Sequence, residues 1–218
     1  RRNAAGVLSF VGDLGVLLEP TTVVAKAWEH AMTIGARSWF QPKVALVTGA
    51  GPIGLLAALL ARQRGLETHV ADLVTAGAKP RLVSELGAHY HADPLSELAV
   101  EPDIVIECTG IGQVIISAAR RTGRGAVIAL TGLAHDDRTM DMQPAAINKK
   151  MVYGNKVIFG SVNAARRHYE QAANALAQAD RGWLAQLITR RVTPEEWPLA
   201  LRKGPEDIKI VVDMAGTA

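Results

Sequence analysis

The run from Val44 to Gly54, VALVTGAGPIG, constrains this chain more than any other segment. A short β-branched apolar stretch leads directly into Gly49-Ala50-Gly51-Pro52-Ile53-Gly54, and an apolar helix pattern comes next. In a strand–turn–helix of this kind each glycine has its own task. Gly49 permits the tight turn out of the strand, Gly51 has no side chain to hold a phosphate off the backbone, and Gly54 lets the helix lie close to the sheet. The free N–H groups and positive dipole end of the helix that opens at Pro52 and Ile53 suit an anion. The segment is therefore a candidate cradle for a pyrophosphate.

A glycine pattern alone is a weak signal, so the next strand has to support it. A second apolar strand, Glu67 to Ala71, ends in Asp72, at an offset of 72 − 54 = 18 residues from Gly54. A carboxylate there accepts hydrogen bonds from both hydroxyls of an adenosine ribose and repels a 2′-phosphate unless a cation stands beside it. Leu73 and Val74 come next, which favours NAD over NADP. Lys79 and Arg81 are the cations on the following segment able to fold back and weaken that preference. The bland alternative, a generic βαβ unit with a glycine turn and a surface aspartate, needs strand, glycines and acid to fall into register by coincidence.

Around this unit strands and helices alternate, which is the pattern of an α/β protein with a doubly wound parallel sheet of the Rossmann type. Strands are expected at Val44 to Thr48, Glu67 to Ala71, Ala88 to His91, Ile104 to Cys108, Ala126 to Thr131 and Lys156 to Ser161, six in all. Helices are expected between them at Ile53 to Arg64, Pro80 to Leu86, Gly112 to Arg120 and Pro144 to Met151. Ligands of such sheets bind at the carboxyl ends of the strands where the strand order reverses. Thr109-Gly110 and Thr131-Gly132 end strands there and join the candidate cofactor contacts.

The flanks read differently. Helices at Thr22 to Gly35 and Ala164 to Asp180 carry the chain into and out of the central unit. Leu187 to Val192 and Ile208 to Met214 read as strands that complete a sheet of another domain, because two short strands cannot bury an apolar face alone. The expected division is a remnant of another domain over residues 1–20, the nucleotide-binding unit over 21–185, and the strands of the other domain over 186–218. The first residue is Arg rather than Met, which points to a fragment or a processed product.

Composition narrows the function classes. With 218 residues, 49% of them hydrophobic, the chain is large enough for one full core and part of another. Its net charge of +3 comes from scattered Arg and Lys without aromatic interleaving or a continuous basic stripe, so nucleic acid is not an expected partner. No apolar run reaches membrane-spanning length, and the segment after Arg1-Arg2-Asn3 is too weakly apolar for a secretion signal. One cysteine leaves no intramolecular disulfide and fits the reducing cytoplasm.

Five segments carry a family likeness: GDLGVLLEPTTVVAKAWEHA, VTGAGPIGLLAALLARQRG, DIVIECTG, VIFGSVNAARRHYEQA and ITRRVTPEEW. Their succession, from Gly12 to Met214, resembles the glucose dehydrogenases of the zinc-containing medium-chain dehydrogenase superfamily. LLEP before the glycine turn and GSVNA after it are more specific than the turn itself. The resemblance implies a small-molecule substrate, an aldose, oxidised at its C1 hydroxyl to a lactone with hydride passing to the nicotinamide of NAD, or of NADP. It also implies zinc as Lewis acid in the complete enzyme, a homo-oligomer joined near the edge strand Lys156 to Ser161, and a GroES-like catalytic domain that this chain largely lacks.

The resemblance also gives residues their roles. Glu19 matches the acidic member of the family's EP motif, in or near the zinc sphere; read without it, a carboxylate before Pro20-Thr21-Thr22 simply favours a helix start that Thr21 caps. Val23 departs from members that carry an acidic residue there. Asn163 matches the asparagine facing sugar and nicotinamide, placed as the catalytic residue, while Asn-Ala-Ala-Arg is equally an N-cap. Ser161 and Val162 would set backbone groups beside the nicotinamide carboxamide.

Other tempting residues read as ordinary. His89 and His91 fall on one face of a strand, but no second pair of metal ligands is visible beside them in sequence. Cys108 has no histidine placed to activate it and reads as a packed residue near the cofactor. His135-Asp136-Asp137-Arg138 reads as a solvated loop, and Arg166-Arg167-His168 as a solvent-facing helix start.

Alternative functions are a non-catalytic NAD(P)-binding module, a zinc-dependent alcohol or polyol dehydrogenase of other specificity, and a different Rossmann enzyme. A short-chain dehydrogenase needs a lysine four residues after its catalytic tyrosine, and Tyr90, Tyr153 and Tyr169 all lack one. A methyltransferase would leave GSVNA without a role.

Overall fold

The computed structural model describes residues 13–134 and 143–214. Strands β1 (Val44–Thr48), β2 (Glu67–Ala71), β3 (His89–His91), β4 (Ile104–Glu107), β5 (Val127–Leu130) and β6 (Val157–Gly160) form one sheet in the order β3-β2-β1-β4-β5-β6. Every pairing in it is parallel. The order reverses between β1 and β4, so the carboxyl ends of these two strands flank the ligand crevice of the doubly wound topology.

Both faces of the sheet are covered, which is why its central strands are near-continuous apolar runs. Alternate residues feed two cores. Ala45, Val47, Val70, Ile104, Ile106, Val127 and Ala129 enter the larger one, while Leu46, Ala71, Val105 and Ile128 enter a smaller one on the opposite face. The larger core is closed by α1 (Leu18–Gly35) and α2 (Pro52–Gln63), whose Trp28, Leu55, Leu56 and Leu60 are fully or almost fully buried. Truncating one of these leucines to Ala would cost about 2–5 kcal/mol. Trp28 Nε1 donates to the Ala57 carbonyl at 3.2 Å, so the indole is buried without losing a hydrogen bond. Ala118 and Ala119 of α4 (Gly112–Arg121) close the smaller core, with α3 (Ala78–Glu85) between β2 and β3 and α5 (Pro144–Gly154) between β5 and β6.

The expected strands and the helices between them are present, β1 and β2 with the expected bounds and the others with ends shifted by at most three residues. Four differences are larger. First, α1 begins at Leu18 rather than Thr22, directly after a 3-10 turn over Asp13–Leu17, because Leu14 and Leu17 are drawn into the core. Second, Thr21 does not cap it: its hydroxyl donates backwards to the Leu17 carbonyl at 2.6 Å, and Thr22 does the same to Glu19 at 2.7 Å. Pro20 is tolerated there because the first turn has no intrahelical N–H bond to lose.

Third, the helix expected over Ala164 to Asp180 is present as α6 (Arg166–Gln178), and a further short helix that was not expected, α7 (Arg181–Gln186), follows it. Asp180 divides them, accepting from the Trp183 N–H at 2.7 Å as the N-cap of α7. Fourth, the tail strands β7 (Ile188–Val192) and β8 (Lys209–Val212), with the short α8 (Trp197–Ala200) between them, pair with each other in parallel. Leu187, Ile188 and Ile208 enter the larger core, and Arg191 reaches Asp13 at 2.8 Å. The loop His135-Asp136-Asp137-Arg138 and most of the amino-terminal segment lie outside the described residues.

Candidate functional site

The glycine turn has the geometry its sequence predicts. Gly49 has φ +89° and donates its N–H to the Ala71 carbonyl at 2.7 Å, tying the turn to β2. A Cβ on Gly54 would sit 1.7 Å from the Gly49 carbonyl oxygen, so the first turn of α2 lies against the turn before it. A Cβ on Gly51 would meet nothing within 4 Å. That open space lies at the N-terminus of α2, where Gly51 is the N-cap and no side chain caps the first turn. These donors and the dipole behind them are free for an anion, so the residues present fit a diphosphate.

Asp72 stands next to this cradle and is already well bonded. Its carboxylate accepts from the Ala50 N–H at 2.6 Å and the Val74 N–H at 3.1 Å. Lys79 Nζ lies 3.2 and 3.3 Å from its two oxygens, with both side chains about one-eighth exposed. Burial by itself raises the Asp72 carboxyl, but the Ala50 and Val74 donors and the Lys79 ammonium outweigh it and leave the pKa lowered. Of the two cations able to fold back, Lys79 does. Arg81 instead pairs with Glu85 at 2.9 Å and with Gln186. Lys203, whose pKa is lowered by burial and by Lys79, adds a second cation to the neighbourhood. Asp72 is therefore not unaccompanied: it has a counter-ion, and it does not by itself favour NAD over NADP.

Asp72 and Leu73 line a cavity of about 500 Å³ together with Gln113, Val114, Arg120 and Arg121 of α4. A crevice of this size with a few polar groups suits a nucleoside.

The floor of the crevice is organised by a residue the sequence reading passed over. Glu107 ends β4 fully buried, and its Oε1 accepts from Thr48 Oγ1 at 3.2 Å, from the Thr109 N–H at 2.7 Å and from the Thr109 hydroxyl. The Gly110 N–H adds a bond at 3.1 Å to its Oε2. Glu107 thus holds the Thr109-Gly110 turn in place. Thr131 and Gly132 donate their N–H groups to the Glu107 carbonyl at 2.8 and 3.0 Å. A Cβ on Gly132 would lie 2.2 Å from the Gly110 nitrogen, so the two turns touch backbone to backbone. Only the position of an acid inside DIVIECTG, at the end of a buried strand, marked Glu107 in the sequence. Cys108 beside it has its thiol pushed up to about 12 by burial, in keeping with a packed, unreactive residue.

Beyond β6 the chain passes through Ser161, Val162 and Asn163. Ser161 donates its N–H to the Leu130 carbonyl at 2.9 Å, while its buried hydroxyl has no partner among the described residues. Val162 is exposed, and its carbonyl accepts from Lys26 Nζ on α1 at 2.8 Å, a contact invisible in the sequence. Asn163 is exposed and left-handed at φ 59°, two residues before the Ala165 that caps α6. It is not the N-cap. Arg167 and His168 are not idle at this helix start: Glu29 of α1 takes Arg167 at 2.8 Å, His168 at 3.2 Å and Gln171 at 2.7 Å.

Glu19 is an exposed carboxylate on the first turn of α1. Among the described residues no pair of His, Cys, Asp or Glu side chains joins it in a cluster compact enough for a metal, so Glu19 alone is not a zinc site. The histidines on β3 have company instead. Parallel pairing brings His69 opposite His89, and Glu67 and His91 share that face.

The parallel sheet in this order, with its glycine turn and paired switch-point turns, defines an α/β protein of the doubly wound Rossmann class. Residues 12–214 match the family described as glucose dehydrogenase C-terminus, and the chain belongs to that family. It is 34% identical over 211 residues to the glucose 1-dehydrogenase of Methanocella arvoryzae, covering 92% of this chain and 59% of the relative. It is 37% identical over 207 residues to glucose 1-dehydrogenase 2 of Vulcanisaeta moutnovskia, covering 93% and 59%. The chain thus spans about three-fifths of the length of these relatives. Among solved structures, the glucose dehydrogenase of Haloferax mediterranei in complex with NADP, Zn and gluconolactone superposes with a TM-score of 0.84 at 25% identity, covering 92% of this chain and 59% of that one.

Proposed function

We propose that this chain supplies the cofactor-binding part of an NAD(P)-dependent dehydrogenase that oxidises an aldose at C1. The observation that carries the reading is the contrast between Gly54, packed against the Gly49 carbonyl, and Gly51, open at an uncapped helix N-terminus beside Asp72. A nicotinamide held there would supply a hydride acceptor for C1 of the aldose, which becomes a lactone as its C1 hydroxyl releases a proton to solvent. Family membership and the named activity of the relatives support the substrate class.

In this reading Gly49, Ala50, Gly51, Pro52, Ile53 and Gly54 hold the diphosphate, and Asp72 with Lys79 holds the adenosine ribose. Thr109-Gly110 and Thr131-Gly132 line the crevice floor. The unpartnered Ser161 hydroxyl, Val162 and the left-handed Asn163 serve the nicotinamide end, with Lys26 setting the position of that loop through the Val162 carbonyl. Asn163 is assigned to substrate contact because the competing N-cap role falls to Ala165. Glu19 is assigned as one acidic contributor to a zinc sphere whose other ligands lie outside the described residues, and no step is routed through that ion. The division at residues 20 and 185 into a nucleotide unit and parts of a catalytic domain belongs to the same proposal.

Among the described residues strand β6 pairs on one side only, and Val152 and Tyr153, a few residues before it, are 66% and 77% exposed, which supports self-association along this edge. No helix among the described residues is long and apolar enough to cross a membrane. A cytoplasmic location is proposed from the single cysteine.

The test is calorimetric titration of the chain with NAD and with NADP. Saturable binding of at least one, in the micromolar to millimolar range, is expected. No binding of either would overturn the reading.

A further inference from the structure

The described residues contain two compact groups of metal-ligating side chains away from the crevice, and only one has its ligand atoms to spare. In the first, Glu29 is already claimed by Arg167, Gln171 and His168, and His168 Nδ1 accepts from the Ala165 N–H at 2.9 Å. That group is a clasp between α1 and α6. The second lies on the β2–β3 edge, where Glu67 and His69 alternate along one strand and His89 and His91 along the next, all on one face of the sheet.

We propose that Glu67, His69 and His89 bind a borderline divalent transition metal of the zinc type, with His91 as the positioning residue behind His69. Ligand atoms of the three lie within 4.8 Å of one another, and Glu67 Oε1 is 3.0 Å from His69 Nε2. Zinc bound at about 2.0–2.1 Å to nitrogen and oxygen needs ligand atoms about 3.3 Å apart in a tetrahedron, so the Glu67–His69 pair already has a suitable spacing. The His89 ring stacks on His69 with centroids 4.9 Å apart. Being exposed, it closes the remaining gap by a swing of at most about 1.5 Å.

His69 is the anchor, because it is buried and its other nitrogen, Nδ1, lies 2.8 Å from His91 Nε2. Metal binding selects the tautomer in which His69 Nδ1–H donates to His91 and Nε2 presents its lone pair to the ion. This is the way outer-shell partners orient ligating imidazoles. Among the described residues the Glu67 side chain has no partner except His69, and the His89 imidazole makes no hydrogen bond. Two imidazoles and one carboxylate, with room for water, suit Zn²⁺ rather than Mg²⁺ or Ca²⁺. The ion would cross-link β2 to the sheet-edge strand β3. The His91 carbonyl takes the Asp72 N–H at 3.0 Å, so the cross-link also steadies the strand end that carries Asp72.

The site is tested by titrating metal-stripped protein with ZnCl₂ by calorimetry, and with Co²⁺ by absorption. The wild type is expected to bind one Zn²⁺ at this site with micromolar or tighter affinity, and to show the visible bands of low-coordinate Co²⁺. His89→Ala and Glu67→Gln change exposed side chains and are expected to fold and to lose tenfold or more in affinity. Glu19→Ala, remote from the strands, is expected to keep it. Absence of Zn²⁺ binding by the wild type would overturn the proposal. So would a loss of less than tenfold in His89→Ala, or loss of the same binding in Glu19→Ala.

Discussion

The backbone N–H of Ala50, in the middle of the glycine turn, donates to the carboxylate of Asp72 at 2.6 Å. The glycine turn and Asp72, proposed above to hold the diphosphate and the ribose, are thereby one hydrogen-bonded unit. Lys79 completes it, so Asp72 and Lys79 have to be judged together.

Asp72→Ala removes the acceptor for ribose hydroxyls and frees the Lys79 ammonium. Binding of NAD is expected to weaken about tenfold, and that of NADP to weaken less or to improve. Lys79→Ala is expected to do the reverse, since Asp72 then repels a 2′-phosphate without a counter-ion. Parallel titrations of both variants with both cofactors give the ratio. Equal losses throughout would remove the pair from cofactor discrimination.

Gly51 and Gly54 separate binding from folding. Gly51→Val places its side chain in open space at an ordinary backbone conformation (φ −79°), so the melting temperature is expected to change by no more than a few degrees while cofactor binding disappears. Gly54→Ala drives a methyl group into the Gly49 carbonyl and is expected to cost about 1–3 kcal/mol or more of stability. Retained cofactor binding in Gly51→Val would show that the phosphates lie elsewhere.

Glu29 gives a pH dependence to the α1–α6 contact. Hydrogen bonds from Arg167 and Gln171, ahead of that from His168, lower its pKa from 4.5 to about 2. Its stabilisation is fully present above about pH 4.5 and is lost as pH falls through 2. Because the ion pair is largely solvent-screened, its contribution is small. Glu29→Gln is expected to lower stability at pH 7 and to flatten the stability profile between pH 4.5 and 2. An unchanged acid limb of that profile would show that the clasp contributes nothing.

Much of this is legible in the sequence alone, and the reason is distance along the chain. The β1–turn–α2–β2 unit is written in consecutive residues, because strand propensity, glycine geometry and helix periodicity are all local signals. Contacts that need a register or a fold-back are not. Lys79 reaches Asp72 through a turn in which Gly77 has φ +92°, and nothing in LVTAGAK distinguishes that path from one in which Arg81 returns instead. His69 meets His89 only once β2 and β3 are paired residue by residue. Thr21 looks like a cap because threonine favours that position, yet burial of Leu14 and Leu17 moves the helix start upstream of it. Asn163 is readable as special without a way to decide why, and its left-handed backbone outside α6 removes one of its two roles.

The carboxy-terminal pair β7–β8 lies outside the six-stranded sheet, yet its Ile188 and the neighbouring Leu187 and Ile208 share one apolar cluster with Leu55 and Ile106. A boundary drawn along the sequence is therefore not a seam in three dimensions. Heat or denaturant is expected to find no weak plane between the tail and the six-stranded sheet, so that the two parts of the described structure come apart together.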